Sequence, residues 1–189
     1  MQSESFFYDH YKDSFEQQKN YLNERNRLTV YLAFLVAIML LMSSNSYILI
    51  EISSALQEHK IGKVVIDFNI VTTALYFVLM WLTMRYYQIN LTIEKTYTYL
   101  DRCEKDLSRD GTFKIDREGG DYEKNYPWLK MVVHRIYVYV FPLLIITVSV
   151  ISIIHELCYT GANKCFNIFF LSMTIILSVL YLINRIFGK

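Results

Sequence analysis

Four stretches of this chain are too long and too apolar to be ordinary pieces of a soluble domain. They are LTVYLAFLVAIMLLMSSNSYILI (Leu28–Ile50), IDFNIVTTALYFVLMWLTM (Ile66–Met84), IYVYVFPLLIITVSVISII (Ile136–Ile154) and FNIFFLSMTIILSVLYLI (Phe166–Ile183). A helix that crosses the hydrocarbon core of a bilayer needs about 20 predominantly apolar residues. A soluble helical protein would have to bury all four runs, and the remaining amphipathic chain is too short to cover them. The expected fold class is an all-α membrane protein with four transmembrane helices, the first two extended into a cytoplasmic helical stalk. The first run follows a polar segment rich in acids and aromatics, not the short basic region of a signal peptide, so it reads as a retained anchor.

Composition narrows the alternatives. Hydrophobic residues make up 53% of the 189 and charged residues only 20%, with 6 Gly and 2 Pro. That excludes a disordered chain and a disulfide-rich secreted domain. The net charge of +1 gives no global pull toward nucleic acid, so the placement of charge says more than its sum. Of the 19 Lys and Arg, only Lys60, Lys63 and Lys164 fall in the two short loops on one side of the spans. The positive-inside rule then puts both termini and the central loop on the cytoplasmic side.

The expected organisation follows. Residues 1–27 are a cytoplasmic amphipathic helix, 28–50 the first span, 51–65 an outer loop and 66–84 the second span. Residues 85–108 continue that helix into the cytoplasm, and 109–131 are a re-entry loop. The third span covers 132–154, a second outer loop 155–165, and the fourth span 166–187. Phe7, Tyr11, Phe15, Gln18 and Leu22 share one face of the first helix. Tyr86, Ile89, Ile93, Tyr97, Leu100, Cys103 and Leu107 form a matching stripe after the second span, with Asp101 and Lys105 in favourable acid-before-base order. A single helix from Ile66 to Leu107 would measure roughly 60 Å. Such half-apolar helices must bury their stripes. Either they pack on each other within one chain, or several chains form a cytoplasmic bundle. Two helices make a thin core, which favours the oligomer, with a tetramer as the working expectation.

The loop IDREGGDYEKNYPW (Ile115–Trp128) joins the stalk to the third span. Gly119 and Gly120 suit a sharp turn, Pro127 suits a helix start, and Tyr126 and Trp128 suit the headgroup zone. A re-entry loop explains most of it. Asp116, Arg117, Glu118, Asp121 and Glu123 are denser than a turn requires, which leaves a sensing role open.

No specific catalytic constellation is present: there is no G-x-S-x-G, P-loop, H-E-x-x-H or C-x-x-C. An enzyme is not expected, and no cofactor. His155 and Cys158 are three apart, but two ligands do not close a metal site, so no metal is expected. Cys158 and Cys165 flank an outer loop and are a candidate disulfide. The spans carry no acid, Lys or Arg at mid-depth, which argues against a proton-coupled transporter. They do carry neutral polar residues, which serve either helix packing or a polar pore. Ser43, Ser44, Asn45 and Ser46 are the first candidates for pore lining, with Thr72 and Thr73. The third span adds Thr147, Ser149 and Ser152, with Pro142 as a kink. The fourth adds Asn167, Ser172, Thr174 and Ser178. Arg25, Arg27, Arg85, Lys130, Arg135 and Arg185 ring the inner rim beside Tyr86, Tyr87, Tyr126 and Trp128. The positive-inside rule accounts for them; the alternative is a site for an anionic ligand, such as a nucleotide or a single strand held between cations and stacking rings.

The stretch YTYLDRCEKDLSRD followed by FKIDREGGDYEKNYP, about Tyr97 to Pro127, resembles small membrane proteins encoded in bacterial anti-phage loci. An aromatic-rich helix leaves the second span, then come an R-E-G turn and a Y-P before the third. The membrane effector of the Hailong system is the nearest architectural likeness, with the Kiwa membrane subunit and the four-span effectors of cyclic-oligonucleotide systems as rivals. The resemblance implies an oligomeric gated channel that depolarises the infected cell. It also implies a DNA oligomer as regulator and a partner nucleotidyltransferase that makes it. The expected function is an oligomeric gated membrane channel or pore-forming effector, set among membrane lipids. The alternative is a non-conducting scaffold that anchors a cytoplasmic protein; an interfacial enzyme has only the charged loop behind it.

Overall fold

The computed structural model describes residues 2–44, 68–108, 128–158 and 163–187, and these are helical apart from the turn residue Asn163, with no strand among them. Helix α1 is Gln2–Ser44 and α2 is Phe68–Ser108. Helix α3, Trp128–Arg135, runs through a π-helical stretch, Ile136–Val140, into α4, Phe141–Cys158. Helix α5 is Lys164–Phe187. The protein is all-α, and three of its helices are long and apolar enough to cross a membrane: Tyr8–Ser43, Val132–Cys158 and Lys164–Phe187.

Lys164 and Cys165, expected in the outer loop, already belong to α5, and two further boundaries differ from expectation. Trp128–Met131 is helical rather than loop, because Pro127 just before it is pre-set for a helix start. The helix of the third run continues four residues beyond Ile154 to Cys158, since no glycine or proline intervenes before Gly161. The expected outer loop 51–65 and most of the re-entry loop lie outside the described residues.

The chain divides into two compact units: residues 1–28 with 86–138, and residues 29–85 with 139–189. In the first, the early part of α1 and the late part of α2 run antiparallel, because contacts pair rising numbers on one with falling numbers on the other. Tyr11 pairs with Glu104 and Gln18 with Ile93. Tyr11, Leu100 and Cys103 form a buried core with Phe15 beside it, the Tyr11 and Phe15 rings stacking at 6.5 Å. Of the expected stripes, Tyr11, Gln18, Tyr86, Ile89, Ile93, Leu100 and Cys103 are buried, Phe15 and Leu22 are half-buried and Tyr97 is exposed. Within the chain the two faces meet at Tyr11, Phe15, Leu100 and Cys103. Asp101 and Lys105 form the expected ion pair on the outer face.

The proline at 142 has no N–H to offer the carbonyl of Val138, four residues back. The chain answers with the wider π turn at Ile136–Val140, a common response to a break in the helical ladder. In the first unit the Tyr86 hydroxyl, wholly buried, donates to the Tyr137 carbonyl at 2.8 Å. The wide turn thus keeps a hydrogen-bond partner for one of its carbonyls.

The second unit has the opposite radial pattern. Leu32, Leu35, Val36 and Met39 of α1 are buried, but the buried faces of the other helices are rich in Thr83, Ser149, Ser152, Glu156, Asn167, Thr174 and Ser178. Its exposed side chains include Phe34, Trp81, Leu143, Ile154, Phe169 and Phe187. A water-soluble fold does the reverse. Lipid tails are as apolar as leucine, so small and hydroxylated residues go to helix contacts and large apolar ones face outward. Helices α4 and α5 pack as a pair in this way.

Candidate functional site

The candidate site is the polar seam inside the second unit. On α4, Ser149, Ser152 and Glu156 are spaced three and four residues apart and fall on one buried face. On α5, Asn167, Thr174, Ser178 and Tyr181 repeat the same spacing along its buried face. On α2, Thr73 and Tyr76 are three apart and reach both. The Thr73 hydroxyl lies 2.7 Å from Asn167 Oδ1 and 2.8 Å from the Asn69 carbonyl oxygen. The Tyr76 hydroxyl donates to Glu156 Oε1 at 3.4 Å. Phe77 and Phe170 meet edge to face beside this seam at 5.5 Å.

Hydroxyls deeper in α5 are satisfied locally. Thr174 bonds the Phe170 carbonyl at 2.9 Å and Ser178 bonds the Thr174 carbonyl at 2.8 Å, the usual back-bond of Ser and Thr in membrane helices. Thr83 and Ser149 differ: each is fully buried, and neither hydroxyl oxygen has a hydrogen-bond partner. Leaving such a group unmet costs about 1–3 kcal/mol. Glu156 is only 6% exposed, and no described Lys, Arg or His forms an ion pair with it. Lys164, at the start of α5, gives its ammonium to the Leu157 carbonyl instead, at 3.0 Å.

The expected site residues fall into several places. Ser43 is half-buried near the end of α1 and Ser44 closes that helix, while Asn45 and Ser46 lie outside the described residues. Thr72 is half-buried and Thr73 belongs to the seam. Thr147 is exposed and back-bonded to Leu143, so it stands apart from the seam. Cys158 and Cys165 are exposed free thiols in the structure, not the expected bridge, and Cys103 is a buried free thiol. Among the described residues no group of three or more His, Cys, Asp or Glu could hold a metal ion.

The six expected anion-binding cations are divided between the two units. Arg25, Arg27, Lys130 and Arg135 belong to the first unit, and Arg85 and Arg185 to the second. Arg25 is already engaged, its guanidinium carbon 4.6 Å from the centre of the Tyr137 ring. That contact stands beside the π turn and two residues from Arg135, so the turn is edged by cation and ring.

Glu156 is the residue that sequence reasoning passed over. Ending the third span at Ile154 left it in a loop. Its signal was present: Ser149, Ser152 and Glu156 share one helical face, and nothing between them and Cys158 breaks a helix. Tyr76 was hidden for a different reason, as one aromatic among many in an apolar run.

Comparison with known families, curated proteins and solved structures finds no match to this chain.

Proposed function

We propose that the chain is a four-span inner-membrane protein whose copies assemble into a gated channel, acting as an effector that collapses membrane potential in anti-phage defence. In this reading Phe68–Met84 of α2 is the remaining span and both termini are cytoplasmic. The early part of α1 and the late part of α2 form a stalk that carries the gating signal. A nucleotide or single-stranded DNA oligomer made by a partner nucleotidyltransferase would bear on that stalk.

The observation that carries the reading is the set of unmet polar groups inside the second unit. Ser149 and Thr83 are buried hydroxyls without partners, and Glu156 is a buried carboxyl held by one long hydrogen bond. A resting packing that leaves such groups unsatisfied gains free energy when water enters. Side chains fill the interior of one chain, so a continuous water path calls for several copies around a shared axis.

The scaffold reading keeps one specific support. The stripes of the first unit already meet within one chain, at Tyr11, Phe15, Leu100 and Cys103. The test is expression in bacteria with a potential-sensitive dye. The channel reading expects depolarisation that weakens in Ser149→Ala. Membrane-localised protein at high level with an unchanged potential would leave the scaffold.

A further inference from the structure

We propose that Glu156, Tyr76 and Ser152 form a binding site for a small monovalent cation within the second unit. Three observations meet there. Glu156 carries a carboxyl that is almost fully buried in a helix apolar enough to cross a membrane. An ionised carboxylate in such surroundings costs several kcal/mol unless a positive charge is close. None of the described cations supplies it: Lys164 is committed to the Leu157 carbonyl, and the neighbouring His155 is exposed.

The oxygens around Glu156 suit a hard cation. The Tyr76 hydroxyl lies 3.4 Å from Oε1 and also faces Ser152, one helical turn before Glu156. The Ser152 side chain is 1% exposed and faces the Tyr76 hydroxyl, and its oxygen keeps a lone pair to offer. Ser149 continues the same face with a buried hydroxyl that has no hydrogen-bond partner. One carboxylate with neutral oxygens matches the charge of Na+ or K+. Calcium and magnesium draw on more carboxylates or on retained water, and transition metals on nitrogen and sulfur. No cluster of three or more His, Cys, Asp or Glu is found among the described residues.

The site does not depend on conduction, because binding can be read directly. The full chain, purified in detergent, would be melted in NaCl, KCl and choline chloride at matched ionic strength. The expected result is a midpoint that rises with Na+ or K+ concentration but not with choline. Glu156→Gln should abolish the rise. Ser152→Ala should move the half-effect to about tenfold higher salt, as expected for a lost ligand. Equal melting in all three salts would overturn the site, as would the same ion-specific rise in the Glu156→Gln protein. A midpoint that follows pH but ignores the cation would overturn it too, leaving Glu156 as a neutral buried acid. If Glu156→Gln fails to fold, Tyr76→Phe and Ser152→Ala decide, since an unchanged ion response in both contradicts the proposal. An ion-specific shift without any current in lipid vesicles would keep the site and sink the channel.

Discussion

The two units use the same helices in opposite senses. Along α1, the first unit buries Tyr11 and Gln18 and exposes Asp9, Lys12 and Lys19, while the second buries Leu32 and Met39 and exposes Phe34 and Leu41. Along α2 the change falls between Arg85 and Tyr86. In the first unit the paired stretches of α1 and α2 keep an aromatic and aliphatic stripe inside and most of their charge outside. The second is arranged for lipid, with its hydroxyls, amide and carboxyl inside and its large apolar side chains outside. Burial is therefore worth different things in the two. Apolar contacts drive the first, whereas close packing and interhelical hydrogen bonds hold the second.

The largest effect should come from the core of the first unit. Leu100 is wholly buried, and Leu100→Ala should cost about 2–5 kcal/mol, read as loss of helical signal on heating in detergent. A cost below about 1 kcal/mol would mean that this pair is not an aqueous core. Next is Tyr86→Phe, which strips the donor from the Tyr137 carbonyl in the π turn. Leaving that carbonyl unmet should cost about 1–3 kcal/mol. Replacing Pro142 by Ala in the same background should recover part of the loss, since a regular helix would then satisfy the carbonyls of the turn.

Two double-mutant cycles sharpen the contrast. In the first unit, Tyr11→Phe with Glu104→Gln removes a buried hydroxyl–carboxyl hydrogen bond of 2.8 Å, and the coupling should be about 1–3 kcal/mol. In the second unit, Thr73→Val with Asn167→Leu removes a shorter contact, 2.7 Å, yet the coupling should be only about 0.6 kcal/mol. In a membrane the separated partners find other polar groups. A larger coupling in the second cycle would place that unit in water.

The fold was legible where the pattern was periodic. The stripes Tyr11–Phe15–Gln18 and Tyr86–Ile89–Ile93–Leu100–Cys103 state their own partner face, because helical spacing and apolar character agree. The apolar runs show length and composition but not rotation about the helix axis, since nearly every position is apolar. Their polar residues could be seen, but not which of them meet: nothing in the spacing pairs Thr73 with Asn167 or Tyr76 with Glu156. The π turn was half legible, since Pro142 signals a break and only packing decides its form. Arg25 on the Tyr137 ring was not legible, because the partners lie far apart in sequence.

The smallest expected effect concerns pH. The Tyr99 hydroxyl is held above its ordinary titration range, chiefly by a hydrogen bond with the Cys103 thiol and then by burial, and it lies 2.8 Å from His10 Nε2. A raised tyrosine favours the neutral form in the folded chain. Its contribution is fully present below the ordinary tyrosine value of about 10 and is lost as pH rises beyond it. Alkaline titration should loosen the His10 end of the first unit slightly, and Tyr99→Phe should remove that dependence. Amide hydrogen exchange over residues 8–15 would report it, and an unchanged pH profile in the variant would speak against this hydroxyl.

Single-particle imaging of the detergent-purified chain tests the central claim most directly. The account predicts several copies around a common axis, with Ser, Thr or Asn side chains of the spans facing that axis. A monomer, or a dimer closed along an apolar seam with the Ser149 face sealed inside each chain, would contradict the channel and leave a membrane anchor in its place.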